Sequence, residues 1–161
     1  MSSVPSSNHL LRQLSGFKPS SDISPELGDL IEVDQTLYSD WAIYVGDGDV
    51  VHIVGEDDQE FLPESGFGYV KVKSLQSLGG DSFVRVNNKE VPAKERSLTP
   101  LDPDKVVAKA LSMVGSKVEY NMLTRNNEHY LTEWKYGQPW SDQVSGTLIN
   151  FYYNYFYYYY D

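Results

Sequence analysis

The chain has 161 residues, 40% of them hydrophobic and 22% charged, which is the composition of one globular domain. Its formal net charge of −10 and its singly scattered lysines and arginines disfavour binding to nucleic acid or to an anionic membrane, because both partners are negatively charged. The absence of cysteine excludes disulfides and thiolate metal sites, and the three histidines are widely spaced, so we expect no metal and no cofactor.

The N-terminal residues 1–26 are rich in serine and proline and predict a flexible arm. No apolar run follows Met1, which indicates that no secretory signal is present. No stretch of about 18 or more apolar residues predicts a transmembrane helix. We therefore expect a cytoplasmic protein without a transmembrane segment.

Residues 27–86 predict a β-sheet. Between two of its β-rich runs, Asp47-Gly48 is a strong signal for a two-residue hairpin turn. The runs barely alternate between apolar and polar residues, which indicates strands that are covered on both faces. The runs are residues 30–33, 41–46, 50–54, 68–72 and 83–86.

A first helix is predicted over residues 102–114. Asp102 is a favoured N-cap, Pro103 suits the first helical position, and Gly115 suits the position just beyond the end. The spacing of apolar residues predicts one stripe facing the core. The stripe consists of Val106, Val107, Ala110, Leu111 and Val114.

A second helix is predicted from about Asn126 to Tyr136, with Tyr130, Leu131 and Trp134 toward the core and Gly137 at its end. An antiparallel sheet followed by helices is an α+β fold.

The last eleven residues, Phe151 to Asp161, contain seven of the 13 tyrosines. Tyrosine offers a large contact area at a small entropic cost, so this run predicts a surface for a protein partner or for self-association. A sticky, frayed tail is the alternative. The chain thus divides into an arm (1–26), a domain (27–145) and a Tyr-rich tail (146–161). The predicted partner-binding residues are Tyr152, Tyr153, Tyr155, Tyr157, Tyr158, Tyr159 and Tyr160.

Four segments in this order and spacing resemble the phospholipase A/acyltransferase family of the lecithin:retinol acyltransferase (LRAT) type. The resemblance covers most of the chain and implies an α+β domain with an antiparallel sheet packed on helices, in a circularly permuted papain-like (NlpC-type) arrangement. The segments are Gly28-Asp29-Leu30-Ile31-Glu32, Asp40 to Gly48 with Val50-Val51-His52, Val86-Asn87-Asn88-Lys89, and Asn126-Asn127-Glu128-His129-Tyr130 with Lys135 to Val144.

The resemblance also implies an active site. In that family a cysteine at the start of the second helix attacks a phospholipid ester, a histidine before the tryptophan is the base, and a second histidine orients it. The corresponding residues here are Asn127, Asp40 and His52. Only His52 keeps the family's residue type. An amide is not a nucleophile, so the sequence predicts a pseudoenzyme with a degenerate site rather than an enzyme.

Three functions remain open at this point. The first is a structural or scaffolding component that makes protein contacts through its terminal segments. The second is a lipid- or acyl-chain-binding protein. The third is a residual phospholipase or acyltransferase in which Asp40 and His52 activate a hydroxyl of Ser39 or Thr124. Plainer roles are a helix cap for Asn127, a structural ion pair for Asp40 with His52, and packing for His129.

Overall fold

The computed structural model describes residues 14–35, 39–55 and 66–142. The predictions for residues 1–13 and for the Tyr-rich tail lie outside these ranges. Within them the chain forms one antiparallel sheet in the order β1-β6-β2-β3-β4-β5-β7. The strands are β1 (Lys18–Pro19), β2 (Leu30–Asp34), β3 (Ser39–Gly46), β4 (Asp49–Val54), β5 (Gly66–Ser74), β6 (Phe83–Val86) and β7 (Lys117–Tyr120).

Four α-helices accompany this sheet in the described part of the chain, so the predicted α+β class is confirmed. None of them has the length and hydrophobicity needed to cross a bilayer. The helices are α1 (Leu75–Gly79), α2 (Glu90–Glu95), α3 (Pro103–Met113) and α4 (Asn127–Tyr136).

The β3–β4 hairpin forms where the sequence predicts it. Asp47 and Gly48 both have positive φ, 53° and 79°, which is the backbone geometry of a type I′ turn. That turn matches the right-handed twist of the flanking strands and sets their register, which pairs Tyr44 with Val50.

Both faces of the sheet are covered, which explains why the strands show so little alternation. One core lies between the sheet and helices α3 and α4, and includes Leu30, Trp41 and Leu131. The opposite face packs beneath α1 and includes Val33 and Leu78.

Helix α3 begins as predicted, since the side chain of Asp102 accepts a hydrogen bond from Asp104 N–H. Its buried stripe is narrower than the sequence predicts. Val106 and Ala110 are buried, whereas 46% of Leu111 remains exposed. The spacing of apolar residues defines a helix face but not how far the sheet extends beneath it.

Residues 14–26 of the predicted arm are partly built into the sheet. Lys18–Pro19 pairs with β6, Phe17 is buried, and Arg85 stacks on the Phe17 ring with 4.3 Å between the guanidinium carbon and the ring centroid. Arg85 also donates to the carbonyl of Ser15. The boundary at residue 26 stays a prediction.

Gly68 in β5 has no room for a side chain. A Cβ there would lie 2.5 Å from Ile53 Cγ2 and 3.3 Å from the Tyr120 ring. Ile53 is a β-branched core residue and cannot simply turn away. We therefore expect Gly68→Ala to lower the free energy of unfolding by about 1–3 kcal/mol, measured by urea denaturation.

Gly66, in the same strand, is the matched control. A Cβ there meets nothing within 4 Å, so we expect Gly66→Ala to be neutral or slightly stabilising. Equal losses of stability in the two variants would refute the packing explanation.

Candidate functional site

The start of α4 is fixed by a reciprocal pair of hydrogen bonds. Asn126 is the N-cap, and its side-chain oxygen accepts from the backbone N–H of His129 at 3.2 Å. In return, His129 Nδ1 accepts from the Asn126 N–H at 3.0 Å. This capping box makes Asn127 the first residue of the helix and assigns His129 a more specific role than packing.

Asn127 connects α4 to the sheet through its carboxamide. Its Oδ1 accepts from the N–H of Ile53 at 2.8 Å, and its Nδ2 donates to the carbonyl of Ile53 at 2.8 Å. Strands β3 and β4 pair at Ile43–Val51, and Ile53 lies two residues further along β4. The β3–β4 pairs end before Ile53. There the Asn127 side chain supplies the donor and the acceptor that a neighbouring strand would otherwise supply to β4.

Asp40 is brought directly to Asn127. Its Oδ1 accepts from Asn127 Nδ2 at 3.0 Å and from the N–H of Trp41 at 2.9 Å. Both side chains are buried, with 3% of Asn127 and 8% of Asp40 exposed. Both N–H groups of the Asn127 amide are thus accounted for, one by Asp40 and one by Ile53.

His52 completes the predicted set. It lies in β4 next to Ile53 and is buried. Trp41 and Ile53 face the core beneath α4. Their neighbours Asp40 and His52 therefore project from the opposite side of the sheet, because side chains alternate along a strand. Asn127 and Asp40 meet at the junction of β3, β4 and α4, and His52 lies beside Ile53 in β4. An Asp40–His52 ion pair stays a prediction.

The two hydroxyls considered as substitutes are placed differently. Ser39 precedes Asp40 in β3 and lines a cavity on the other side of the sheet. Thr124 is exposed in the turn before α4, where its N–H bonds to the Asn121 side chain.

A charged cluster beside Asn127, in which Lys89 and Glu128 are buried and Asp142 is half-exposed, was not predicted. Lys89 Nζ donates to Glu128 and, at 2.6 Å, to Asp142, and it stacks near the Trp41 and Trp140 rings. Burial lowers the pKa of Lys89, while hydrogen bonding and charge from Asp142 act in the opposite direction. The one sign of this cluster in the sequence was Glu128, an acid on the buried first turn of a helix. Its partner Lys89 lies 39 positions away, so the pair could not be read from the sequence.

This cluster forms one wall of a cavity of about 620 Å³. Arg85, which also lines this cavity, donates to both carboxylate oxygens of Glu32, at 2.7 and 3.1 Å. The cavity's charges are therefore largely paired with one another.

Comparison with known proteins identifies the family. The model described as lecithin retinol acyltransferase matches residues 23–140. This chain belongs to the LRAT family. Phospholipase A and acyltransferase 2 of Homo sapiens is 39% identical over 132 residues, covering 77% of this chain and 78% of that relative. Phospholipase A and acyltransferase 3 of Mus musculus is 35% identical over 127 residues, covering 74% and 76%. Phospholipase A and acyltransferase 1 of Rattus norvegicus is 32% identical over 134 residues, covering 78% and 76%.

The prediction that this LRAT-family chain is not an enzyme is contradicted by these relatives, whose names are those of phospholipases and acyltransferases. The prediction excluded a class of reaction because one nucleophile is missing. A thiol is only one of the groups that attack an ester, since hydroxyls and base-activated water do so as well. Asn127 in place of the family's cysteine and Asp40 in place of its histidine change the groups available for catalysis. They do not change the family to which the chain belongs.

His129 gives the capping box a dependence on pH. Burial, and then the charges of Arg125 and Lys89, lower the pKa of His129 from 6.5 to about 4. The unfolded chain therefore binds this proton first as the pH falls. The stabilisation is fully present above pH 6.5 and is lost as the pH falls toward about 4, where protonated Nδ1 no longer accepts from Asn126.

We expect His129→Gln to flatten this part of the pH dependence. Glutamine at the third helical position keeps the capping box and does not titrate. Urea denaturation of both proteins between pH 4 and 6.5 isolates the histidine term, because the carboxylates are common to both. Parallel stability curves for the two proteins would contradict this role of His129.

Proposed function

We propose that this chain binds phospholipid at the junction where the start of α4 meets β3 and β4. The observation that carries the proposal is the contact of Asn127 with Asp40 and Ile53, which brings together the positions of the family's nucleophile and base. The relatives' names, phospholipase A and acyltransferase, supply the ligand class. An ester between a fatty acyl chain and a glycerophospholipid is the group to be recognised.

The charge of the chain narrows the choice of phospholipid. A net charge of −10 repels an anionic membrane surface, whereas a zwitterionic headgroup carries no net charge to oppose association. At the junction itself the neutral carboxamide of Asn127 lies beside the carboxyl group of Asp40. Phosphatidylcholine is therefore the preferred probe.

The direct test is binding of a soluble, short-chain phosphatidylcholine to the full chain. We expect saturable binding by calorimetry, with shifts of backbone amide signals at Ile53 and Asn127 in the NMR spectrum. Release of fatty acid from the same lipid is measured in parallel, which determines whether binding leads to turnover. An absence of binding would contradict the proposal.

A double variant, Asp40→His with Asn127→Cys, tests where the ester is held. If the acyl carbonyl reaches position 127, the new thiolate attacks it. A carbon–sulfur bond forms, the carbon–oxygen bond to glycerol breaks, and the histidine passes the thiol proton to the lysophospholipid oxygen. We expect a gain of one acyl mass in the intact protein.

The matched control for this experiment is Asp40→His with Asn127→Ala, which lacks the thiol and should gain no mass. Circular dichroism establishes that both variants fold. A folded cysteine variant that stays unacylated would place the ester elsewhere.

A second function is suggested by the sequence of the C-terminal segment. We propose that residues 146–161 form an association segment appended to the domain at 27–145, and that the seven tyrosines named above contact a protein partner or another copy of this chain. A structural role of this kind is compatible with lipid binding in the domain. Its support is the density of aromatic rings with hydroxyl groups, a composition enriched at protein interfaces.

Deleting residues 146–161 should abolish self-association measured by light scattering after size-exclusion chromatography. A second variant keeps the length of the segment and replaces its seven tyrosines from Tyr152 to Tyr160 with serine. We expect it to behave like the deletion, because the rings supply the contact area. Unchanged association in either variant would argue against the proposal.

A further inference from the structure

A second cavity, of about 480 Å³, adjoins α2. Its walls are largely apolar, formed by α2, by the segment that follows it, and by the end of α4. It contains none of the three residues Asp40, His52 and Asn127. Concave sites of this size with apolar walls and a few polar groups are typical of small-molecule binding. The apolar lining residues are Val91, Ala93, Leu98 and Pro100, together with the ring of Tyr136.

Lys135 is one of the polar residues that line this cavity, and only 9% of it is exposed. Its Nζ donates to the carbonyl of Gly28 at 2.7 Å, and among the described residues it forms no ion pair. An ammonium carries three N–H donors, so two are left over. Burial lowers the pKa of Lys135, and the charges of Asp29 and Glu90 offset this only in part.

An ammonium in such surroundings is costly unless an acceptor completes its shell. The cavity wall holds two lysines, Lys135 and Lys94, and one carboxylate, that of Glu90, and the charge of Asp29 also acts on Lys135. The N–H donors of Lys135 that remain beside its bond to Gly28 favour a ligand with acceptor oxygens, and a carboxylate supplies these with a charge-assisted bond. The apolar walls favour a ligand whose remainder is hydrocarbon.

Tyr136 contributes shape rather than charge. Its hydroxyl donates to the carbonyl of Asn88, which fixes the ring against the loop before α2. Burial, with the charge of Glu90, raises the pKa of Tyr136, so the phenol stays neutral. The ring therefore offers an apolar surface beside the Lys135 ammonium.

We propose that this cavity binds a fatty-acid anion, with its carboxylate on Lys135 Nζ and its hydrocarbon chain along Val91, Leu98 and Pro100. The bond is a charge-assisted hydrogen bond within a mostly apolar site. This inference does not depend on phospholipid binding at Asn127, because the two sites share no residue.

The test is a titration of the full chain with laurate, followed by calorimetry and by the NMR amide signals of Ala93 and Leu98. We expect saturable binding to the unmodified protein. Lys135→Gln should weaken it at least about tenfold, since a hydrogen bond to a charged group contributes roughly 1.5–3 kcal/mol. Lauryl alcohol, which has the same chain and no carboxylate, should bind no better than laurate binds to Lys135→Gln.

Two further variants keep the result decisive. Lys109→Gln removes the same charge from the exposed face of α3, outside the cavity, and should bind laurate like the unmodified protein. Leu98→Trp fills the cavity while leaving Lys135 in place, and should block binding. If Lys135→Gln fails to fold, the laurate affinity of Leu98→Trp tests the proposal in its place. Absence of laurate binding, unchanged affinity in Lys135→Gln or Leu98→Trp, or equal affinity for lauryl alcohol would each overturn the proposal.

Discussion

The two hydrogen bonds between the Asn127 carboxamide and the peptide groups of Ile53 join the helical layer to the sheet. They occur beyond the β3–β4 pairing, where the strand would otherwise leave an N–H and a carbonyl without a ladder partner. A buried peptide group without a partner costs free energy comparable to a lost hydrogen bond. These two hydrogen bonds hold the start of α4 against β4, and they place the Asn127 amide beside Asp40.

The charged cluster of Lys89, Glu128 and Asp142 supports the same junction from the other side of the helix start. Lys89 has a left-handed backbone, with φ 54° and ψ 38°, which is unfavourable for a residue with a side chain. Its bond to Glu128 connects the loop before α2 to the residue after Asn127. Removing one partner of a buried pair typically costs about 3–5 kcal/mol, because the remaining charge stays buried.

Local signals explain which parts of the fold were predictable. Asp47-Gly48 defines a turn, and Asp102, Pro103 and Gly137 define helix ends, within a few residues of sequence. The short elements α1, α2, β1 and β7 have too few residues to show a period, and tertiary contacts form them. The site was predictable to the extent that the resemblance placed Asp40, His52 and Asn127 together. The burial of Lys89 was not predictable, because its acidic partners are distant in sequence and charge alone suggests exposure.

The Asn127–Asp40 contact has a consequence for the chemical ageing of the protein. Slow hydrolysis of the Asn127 amide would replace the Nδ2 donor, 3.0 Å from Asp40 Oδ1, with a second carboxyl oxygen. Two carboxylates this close do not both ionise, so one would hold a proton and the pair would share it. A single deamidation would thus turn an amide–carboxyl junction into an acid dyad, with loss of the amide's bond to the Ile53 carbonyl.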